Sequence, residues 1–249
     1  MKIIVCVSLV PDSTTKVKID ASGKKIDDKE VSFIINPYDE FAVEEAVQLK
    51  EKNGGEVMVV SYGTEKSKEA IKKAFPIGCD KGVLIKSETE DFDAFAVAKN
   101  LADFISKQNP DIVFFGKQSI DFDGMQVPLM VAEITGIPCM SVVVKLDITD
   151  GKARAEREIE GGKEILEANL PVIVAAQKGL NNPRYPNLKS IMASKSKPIE
   201  TINAVYSGNK VEISEMYLPS VKGKGKILEN GVESVQELVK LLREEAKVI

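Results

Sequence analysis

Histidine is absent from all 249 residues. With it go His-based general acid–base catalysis, Ser–His triads and imidazole metal sites. Cysteine is scarce: Cys6, Cys79 and Cys139 are odd in number, far apart and never in a CxxC pair. That pattern excludes a disulfide framework or a cysteine zinc site and predicts three buried thiols. No apolar run reaches the roughly 20 residues of a membrane-spanning helix, so no membrane insertion is expected. Neither GxGxxG nor GxxxxGK followed by Ser or Thr is present, so a nucleotide would be held by neither standard phosphate signature. Basic residues are not in excess either: a net charge of −4 and a pI near 5.3 speak against a dedicated nucleic-acid binder. Met1 runs straight into Lys2 and the strand-like Ile3–Val7. No room is left for a signal peptide, and a cytoplasmic location is expected. A chain so poor in proton-transfer and metal groups is expected to take its chemistry from a cofactor or a partner.

An apolar fraction of 43% is enough for a sizeable core, in one large domain or a domain plus a long arm. Through residue 140 the chain alternates apolar runs with amphipathic stretches. Lys2–Val10, Glu56–Tyr62, Gly82–Lys86 and Asp111–Phe115 read as strands. Ala42, Val43, Ala46, Val47 and Leu49 keep helical spacing, with Glu44, Lys50 and Glu51 mainly on the other side; Asp93–Gln108 is similar. Alternation of this kind predicts a parallel sheet covered by helices on both faces. Asn36 is expected to cap the first helix, ahead of Pro37, and Asp121 or Asp123 a helix starting near Met125. Asn109-Pro110 and Gly136-Ile137-Pro138 end helices. Beyond Cys139 the pattern changes. Cys139–Thr149 and Lys152–Glu160 flank the hairpin signal Asp150-Gly151, and Val172–Gln177 is a further strand. Then come a loop-rich segment, Lys178–Pro198, a Gly/Lys-rich stretch, Ser220–Lys226, and an amphipathic helix, Glu233–Lys247. That helix either docks on something else or packs on its own domain.

In an open parallel sheet, ligands bind beyond the carboxyl ends of the strands. The loops Ser8–Thr15, Ser61–Lys66 and Gly116–Pro128 qualify. The third leaves a strand at Gly116 and enters a helix whose N-terminal N–H groups suit a phosphate; an ordinary strand-to-helix loop is the alternative. Charge is also unevenly spread. Ala168–Ile199 holds no acid but contains Lys178, Arg184, Lys189, Lys195 and Lys197. It contributes +5 to a net −4, so the rest of the chain carries −9. Basic groups interleaved with Leu180, Pro183, Tyr185, Leu188, Ile191 and Met192 suit docking onto an acidic partner.

Those segments carry a family resemblance. Leu180–Lys195, reading LNNPRYPNLKSIMASK, closely resembles the signature of electron transfer flavoprotein beta subunits. Arg157–Gly162 is similar to the strand preceding it, and Asn36–Ala46 and Gly116–Asp121 add two further matches. The resemblance implies an electron carrier rather than an enzyme. A 1:1 heterodimer with an alpha subunit would hold most of its FAD in alpha. It would pass electrons from flavin dehydrogenases, such as the acyl-CoA dehydrogenases of fatty acid oxidation, to a membrane quinone oxidoreductase. It also implies an adenine nucleotide alpha-hydrolase-like α/β domain, open, mostly parallel and Rossmann-like, with a structural AMP and an extended C-terminal arm. The nucleotide domain would span 1-200, with a recognition loop at 176-198, and the arm 201-249 would dock on alpha.

Carried over residue by residue, AMP contacts fall at Cys6, Asn36, Pro37, Tyr38, Asp39, Tyr62, Gly63, Gly116, Lys117, Gln118, Ser119, Asp121, Phe122, Asp123, Gly124, Met125, Gln126 and Val127. Glu158 matches a glutamate near the FAD. Leu188 matches the leucine that anchors the dehydrogenase, with Pro183, Arg184, Tyr185, Ile191 and Met192 around it. Two departures stand out. The lysine-rich run after Ile191-Met192 is diluted to Ser194–Pro198, and Ser13 stands where some members have a tyrosine near the flavin. Electron-bifurcating members hold a second FAD in place of AMP. They resemble Asp-Gly-Asp-Thr-Ala-Gln-Val-Gly where this chain has Asp121–Pro128, and Phe122 is expected to crowd such a flavin. A stand-alone ATP-binding, stress-protein-like domain is the alternative from another class; the hundred residues after Cys139 speak against it.

Overall fold

The computed structural model describes every residue except Ser207, Lys222 and Lys224, so two lysines of the Ser220–Lys226 stretch lie outside the described residues. Nine strands form one sheet. Its core is parallel: β1 (Lys2–Cys6), β4 (Glu56–Gly63), β5 (Lys81–Lys86), β6 (Ile112–Gly116) and β10 (Val172–Ala176). β11 (Ile199–Asn203) adds in parallel beside β5, and β7 (Cys139–Thr149) beside β10. β8 (Lys152–Ile159) and β9 (Gly162–Asn169) extend β7 as an antiparallel meander. The spatial order is β11-β5-β4-β1-β6-β10-β7-β8-β9.

Because side chains alternate along each strand, the two faces build two cores. Ile3, Val5, Val59, Ile112 and Phe114 face helices α1 (Pro37–Asn53) and α2 (Lys68–Ala74). Ile4, Cys6, Val60, Tyr62, Val113 and Phe115 face α3 (Ala94–Gln108) and α4 (Val127–Thr135). Strands covered on both sides must be apolar at every position, and β6 and β10 are buried throughout. The fold class read from the sequence is the one observed.

Local signals held where the backbone itself enforces them. Asp150 and Gly151 both take positive φ (50° and 75°), as a two-residue hairpin requires. Asn109 and Gly136 end α3 and α4 in left-handed conformations. Other expectations are corrected. The run Lys2–Val10 is not one strand: the chain leaves the sheet after Cys6, and β2 (Leu9–Pro11) pairs antiparallel with β3 (Phe33–Ile35) in a separate ribbon. Asn36 sits at the N-cap of α1 but makes no side-chain cap bond; its Oδ1 instead accepts from the Ile120 amide (3.3 Å). Neither Asp121 nor Asp123 caps α4, which starts after Gln126. Glu44, read as solvent-facing, is 2% exposed because Arg184 lies over it.

Besides the β2–β3 ribbon, α2, β9, β11 and α5 (Leu188–Ser194) were not expected, the last inside the segment read as loop. β11 runs across the expected boundary at residue 200 and belongs to the main sheet. The arm beyond it is rooted on α3. Asn100 accepts from the Val205 and Tyr206 amides (2.8 and 3.0 Å) and donates to the Tyr206 carbonyl (2.8 Å). Asp93 caps α3 through the Ala96 amide (2.8 Å) and also accepts from Lys210 and Val211 (2.6 and 2.9 Å). Farther on, contact with the body thins, and the terminal helix α6 (Val235–Glu244) buries none of its residues.

Candidate functional site

β1 connects through α1 to β4 on one side of itself, and β5 returns through α3 to β6 on the other. Strand order therefore reverses between β1 and β6. At such a reversal doubly wound sheets leave a crevice beyond the strand ends, where they take their ligands. Cys6 and Gly116 end the two strands that flank it.

The floor of the crevice is a closed polar brace. Asp39, buried at the start of α1, accepts from the Ser8 amide (2.7 Å), the Ser8 hydroxyl (2.9 Å), the Asn36 amide group (2.9 Å) and the Gly116 amide (3.1 Å). Asn36 also donates to the Gln118 carbonyl (2.9 Å) and accepts from the Ile120 amide (3.3 Å). Gly116 is required here. A Cβ on it would lie 2.7 Å from the Tyr38 carbonyl carbon and 2.8 Å from the Asp39 nitrogen. Burial pushes the Asp39 carboxyl up to about 6, against the pull of its four donors, leaving it mostly ionised at neutral pH. The Cys6 thiol is driven far up by burial and by the Asp39 charge beside it. Cys79 and Cys139 are likewise raised by burial, to about 12 and about 11. None of the three is a poised nucleophile.

Above the floor, residues 117–126 form a small self-closed loop. Ser119 bridges to Gly124, with its amide 3.1 Å from the Gly124 carbonyl. Asp121 accepts from the Ser119 hydroxyl and the Phe122 amide, and Asp123 from the Gln118 side chain (2.9 Å). Both aspartates are thus spent on shaping the loop. The Lys117 ammonium sits 5.1 Å over the Tyr38 ring. Pro37 occupies the first turn of α1, and Val127 opens α4. On the α3/α4 face, Tyr62 packs edge-on against Phe92 at 4.9 Å, while Gly63 takes a positive φ. Cys6, Asn36–Asp39 and Gly116–Val127 are therefore brought to one crevice, with Tyr62 and Gly63 one strand away. Phe122, 68% exposed, and Met125 lie at the outer rim. Ser8, the missed partner of Asp39, carries no signal beyond its position after an apolar run.

A second surface lies at the basic block. Tyr185, Leu188 and Met192 are 98%, 81% and 71% exposed, Ile191 is at the margin of exposure, and Pro183 is half-buried. Arg184 does not join them. Its guanidinium forks onto Glu44 (2.9 and 3.1 Å from Nε) and Glu51 (2.6 and 2.9 Å). Burial alone would raise Glu44, yet the bonds from Arg184 and Gln48 outweigh it and hold the carboxyl low. Lys197 is also turned inward, donating to the Cys79 carbonyl (2.5 Å) over the Phe75 ring. The outward positive charge is accordingly smaller than the sequence count. Glu158, on β8, is exposed and only 3.5 Å from Gln177, too long for a firm bond.

The chain is similar to known proteins along nearly its whole length. The sequence model of the electron transfer flavoprotein domain matches residues 24–206. The electron transfer flavoprotein beta subunit of Syntrophomonas wolfei is 42% identical over 234 residues, covering 94% of this chain and 92% of that one. Its Bacillus subtilis counterpart is 39% identical over the whole of both chains, and that of Mus musculus 34% identical over 258 residues. The likeness runs from end to end at such identity that the chain belongs to the electron transfer flavoprotein beta-subunit family.

Proposed function

We propose that the chain pairs 1:1 with an alpha subunit and that the pair carries electrons from flavin dehydrogenases to a membrane quinone oxidoreductase. The observation that carries this reading is apolar surface with nothing packed on it. α5 and α6 bury no residue, yet present Leu188, Met192, Val235, Leu238 and Val239 to solvent. Two such faces at opposite ends of the C-terminal third suit two different protein partners. The arm 201–249 serves alpha, and the loop 176–198 serves the dehydrogenase, with Leu188 as anchor and Tyr185, Ile191 and Met192 beside it.

The β1–β6 crevice holds a structural AMP. Its residues fit: Lys117 and Gln126 supply donors for a phosphate, as do the amides opening α4, while Asp39 and Asn36 fix the floor they stand on. FAD, held mostly by alpha, supplies the redox chemistry when bound. Of this chain, Glu158 would stand near it, on an exposed strand where no cation among the described residues pairs with its charge. One observation favours a second reading. Phe122 points outward, so its bulk does not fill the crevice, and a second FAD there, as in electron-bifurcating relatives, is not blocked by it.

Co-expression with the alpha subunit, followed by denaturation and chromatography of released nucleotides, tests both. One FAD and one AMP per heterodimer is the expected result; two FAD would overturn the AMP assignment. Leu188→Ala should depress electron transfer from the dehydrogenase with FAD content intact, and unchanged transfer would refute the anchor role.

A further inference from the structure

α5, the helix that displays Leu188, has no core of its own. None of its residues is buried. Between it and the turn Phe75–Gly78 lies an open cavity of about 310 Å³, bordered by Phe75, Tyr185, Ser190 and Lys197. Apolar packing therefore does not determine the direction in which this helix points. Polar clasps at its two ends do.

At the N-terminal side the clasp is Arg184. Five guanidinium hydrogen bonds and a sixth from its backbone amide (3.1 Å to Glu44) tie it to two carboxylates two turns apart on α1. Glu44 is almost wholly buried and is further held by Gln48 (2.6 Å). Asn181, three residues earlier, donates to the Phe41 carbonyl (3.0 Å) and to Glu45 (2.8 Å) on the same helix. At the C-terminal side, Lys197 reaches the Cys79 carbonyl. A planar guanidinium wedged between two carboxylates fixes direction as well as distance, which an ammonium group does not. A guanidinium so occupied has little left to offer an acidic partner.

Resting on the docking role proposed above, we infer that Arg184 is a positioning residue. Bridged to Glu44 and Glu51, it sets the orientation of α5 and so presents Leu188 preorganised for the dehydrogenase. Binding then spends less of its free energy on ordering the loop.

The test uses the heterodimer with Arg184→Gln, Arg184→Lys and, as a milder variant that removes only the exposed partner, Glu51→Gln. Hydrogen exchange is followed by mass spectrometry on peptides spanning α5, with Leu188→Ala as the comparison. The α5 amides should exchange about tenfold faster in Arg184→Gln while those of α1 and the sheet do not change. Arg184→Lys and Glu51→Gln should fall between. With an acyl-CoA dehydrogenase as donor, the half-saturating dehydrogenase concentration should rise about five- to tenfold at an unchanged plateau rate. Unchanged α5 exchange in all three variants overturns the inference. So does faster exchange spread evenly over the chain, or a half-saturation that stays put while Leu188→Ala moves it. If Leu188→Ala itself leaves half-saturation unmoved, the docking role fails, and the clasp is judged on exchange alone.

Discussion

Replacing Asp39 with Asn removes a charge from the floor of the crevice while keeping its size. In the native chain the carboxylate accepts four hydrogen bonds, two of them from backbone amides. The Asn side chain has one acceptor oxygen, and its NH2 group would face donors. Leaving one or two buried donors unpaired costs about 1–3 kcal/mol each, so at neutral pH, where Asp39 is ionised, the variant should lose about 3 kcal/mol. The pH dependence is the sharper observable. Asp39 has its folded-state pKa raised to about 6 by burial. A carboxyl raised on folding contributes stability that is fully present below its unfolded value and is lost as pH climbs through the folded one. From an unfolded value near 4 to about 6 the whole effect is ~3 kcal/mol, of which about half falls between pH 5 and 7.5. The variant has no such titration. Its deficit relative to the native heterodimer should therefore shrink by ~1.5 kcal/mol as pH rises from 5 to 7.5. Urea midpoints of both heterodimers, at one protein concentration, measure this. A deficit that grows with pH would mean that the four donors outweigh burial, and the account of the brace would be wrong.

Gly116→Ala should be worse than any single polar loss. The new methyl would sit against the Tyr38 and Asp39 backbone, forcing α1 away from β6. Loss of soluble heterodimer, or a drop of more than about 3 kcal/mol in urea unfolding, is expected, and near-native stability would refute the close-approach explanation. Asp93→Ala removes the cap of α3 and the root of the arm together, for about 1–2 kcal/mol. Trypsin should then cut faster at Lys210, and an unchanged cleavage rate would show the arm is held elsewhere. The Asp93 carboxyl is lowered, since hydrogen bonds from Ala96, Lys210 and Val211 outweigh the effect of burial. This anchor is thus present at neutral pH and is lost on acidification through the carboxylate range, the opposite sense to Asp39.

What was legible in the sequence follows from how local each signal is. The buried strands β1, β4, β5, β6 and β10 are unmixed apolar runs because helices cover both faces, and unmixed runs need no knowledge of neighbours to be seen. β9 reads Gly-Lys-Glu-Ile-Leu-Glu-Ala-Asn, and only its pairing with β8, aided by the Arg154–Glu167 and Arg157–Glu164 pairs, makes it a strand. β11 is half exposed at the sheet edge and becomes a strand through β5. Both depend on a template strand distant or adjacent in the chain, which composition does not encode.

The same division separates the two surfaces. The crevice loop was visible because a strand end, a run of small and acidic residues and a helix start are sequence-local. The roles inside it were not, since Asn36 and Asp39 were free to be caps until the fold brought Gln118, Ile120 and Gly116 to them. Arg184 shows the point most sharply. Counted along the chain it belongs to a positive block seeking an acidic partner, and that partner exists, but it is Glu44 and Glu51, some 140 residues away on α1. Satisfied internally, the charge is not free to meet an acidic partner. Charge patterning thus drew attention to a segment whose apolar residues are exposed, although its Arg184 is paired within the chain. The remaining outward features, Leu188 and its apolar neighbours, are the ones whose exposure has no internal explanation.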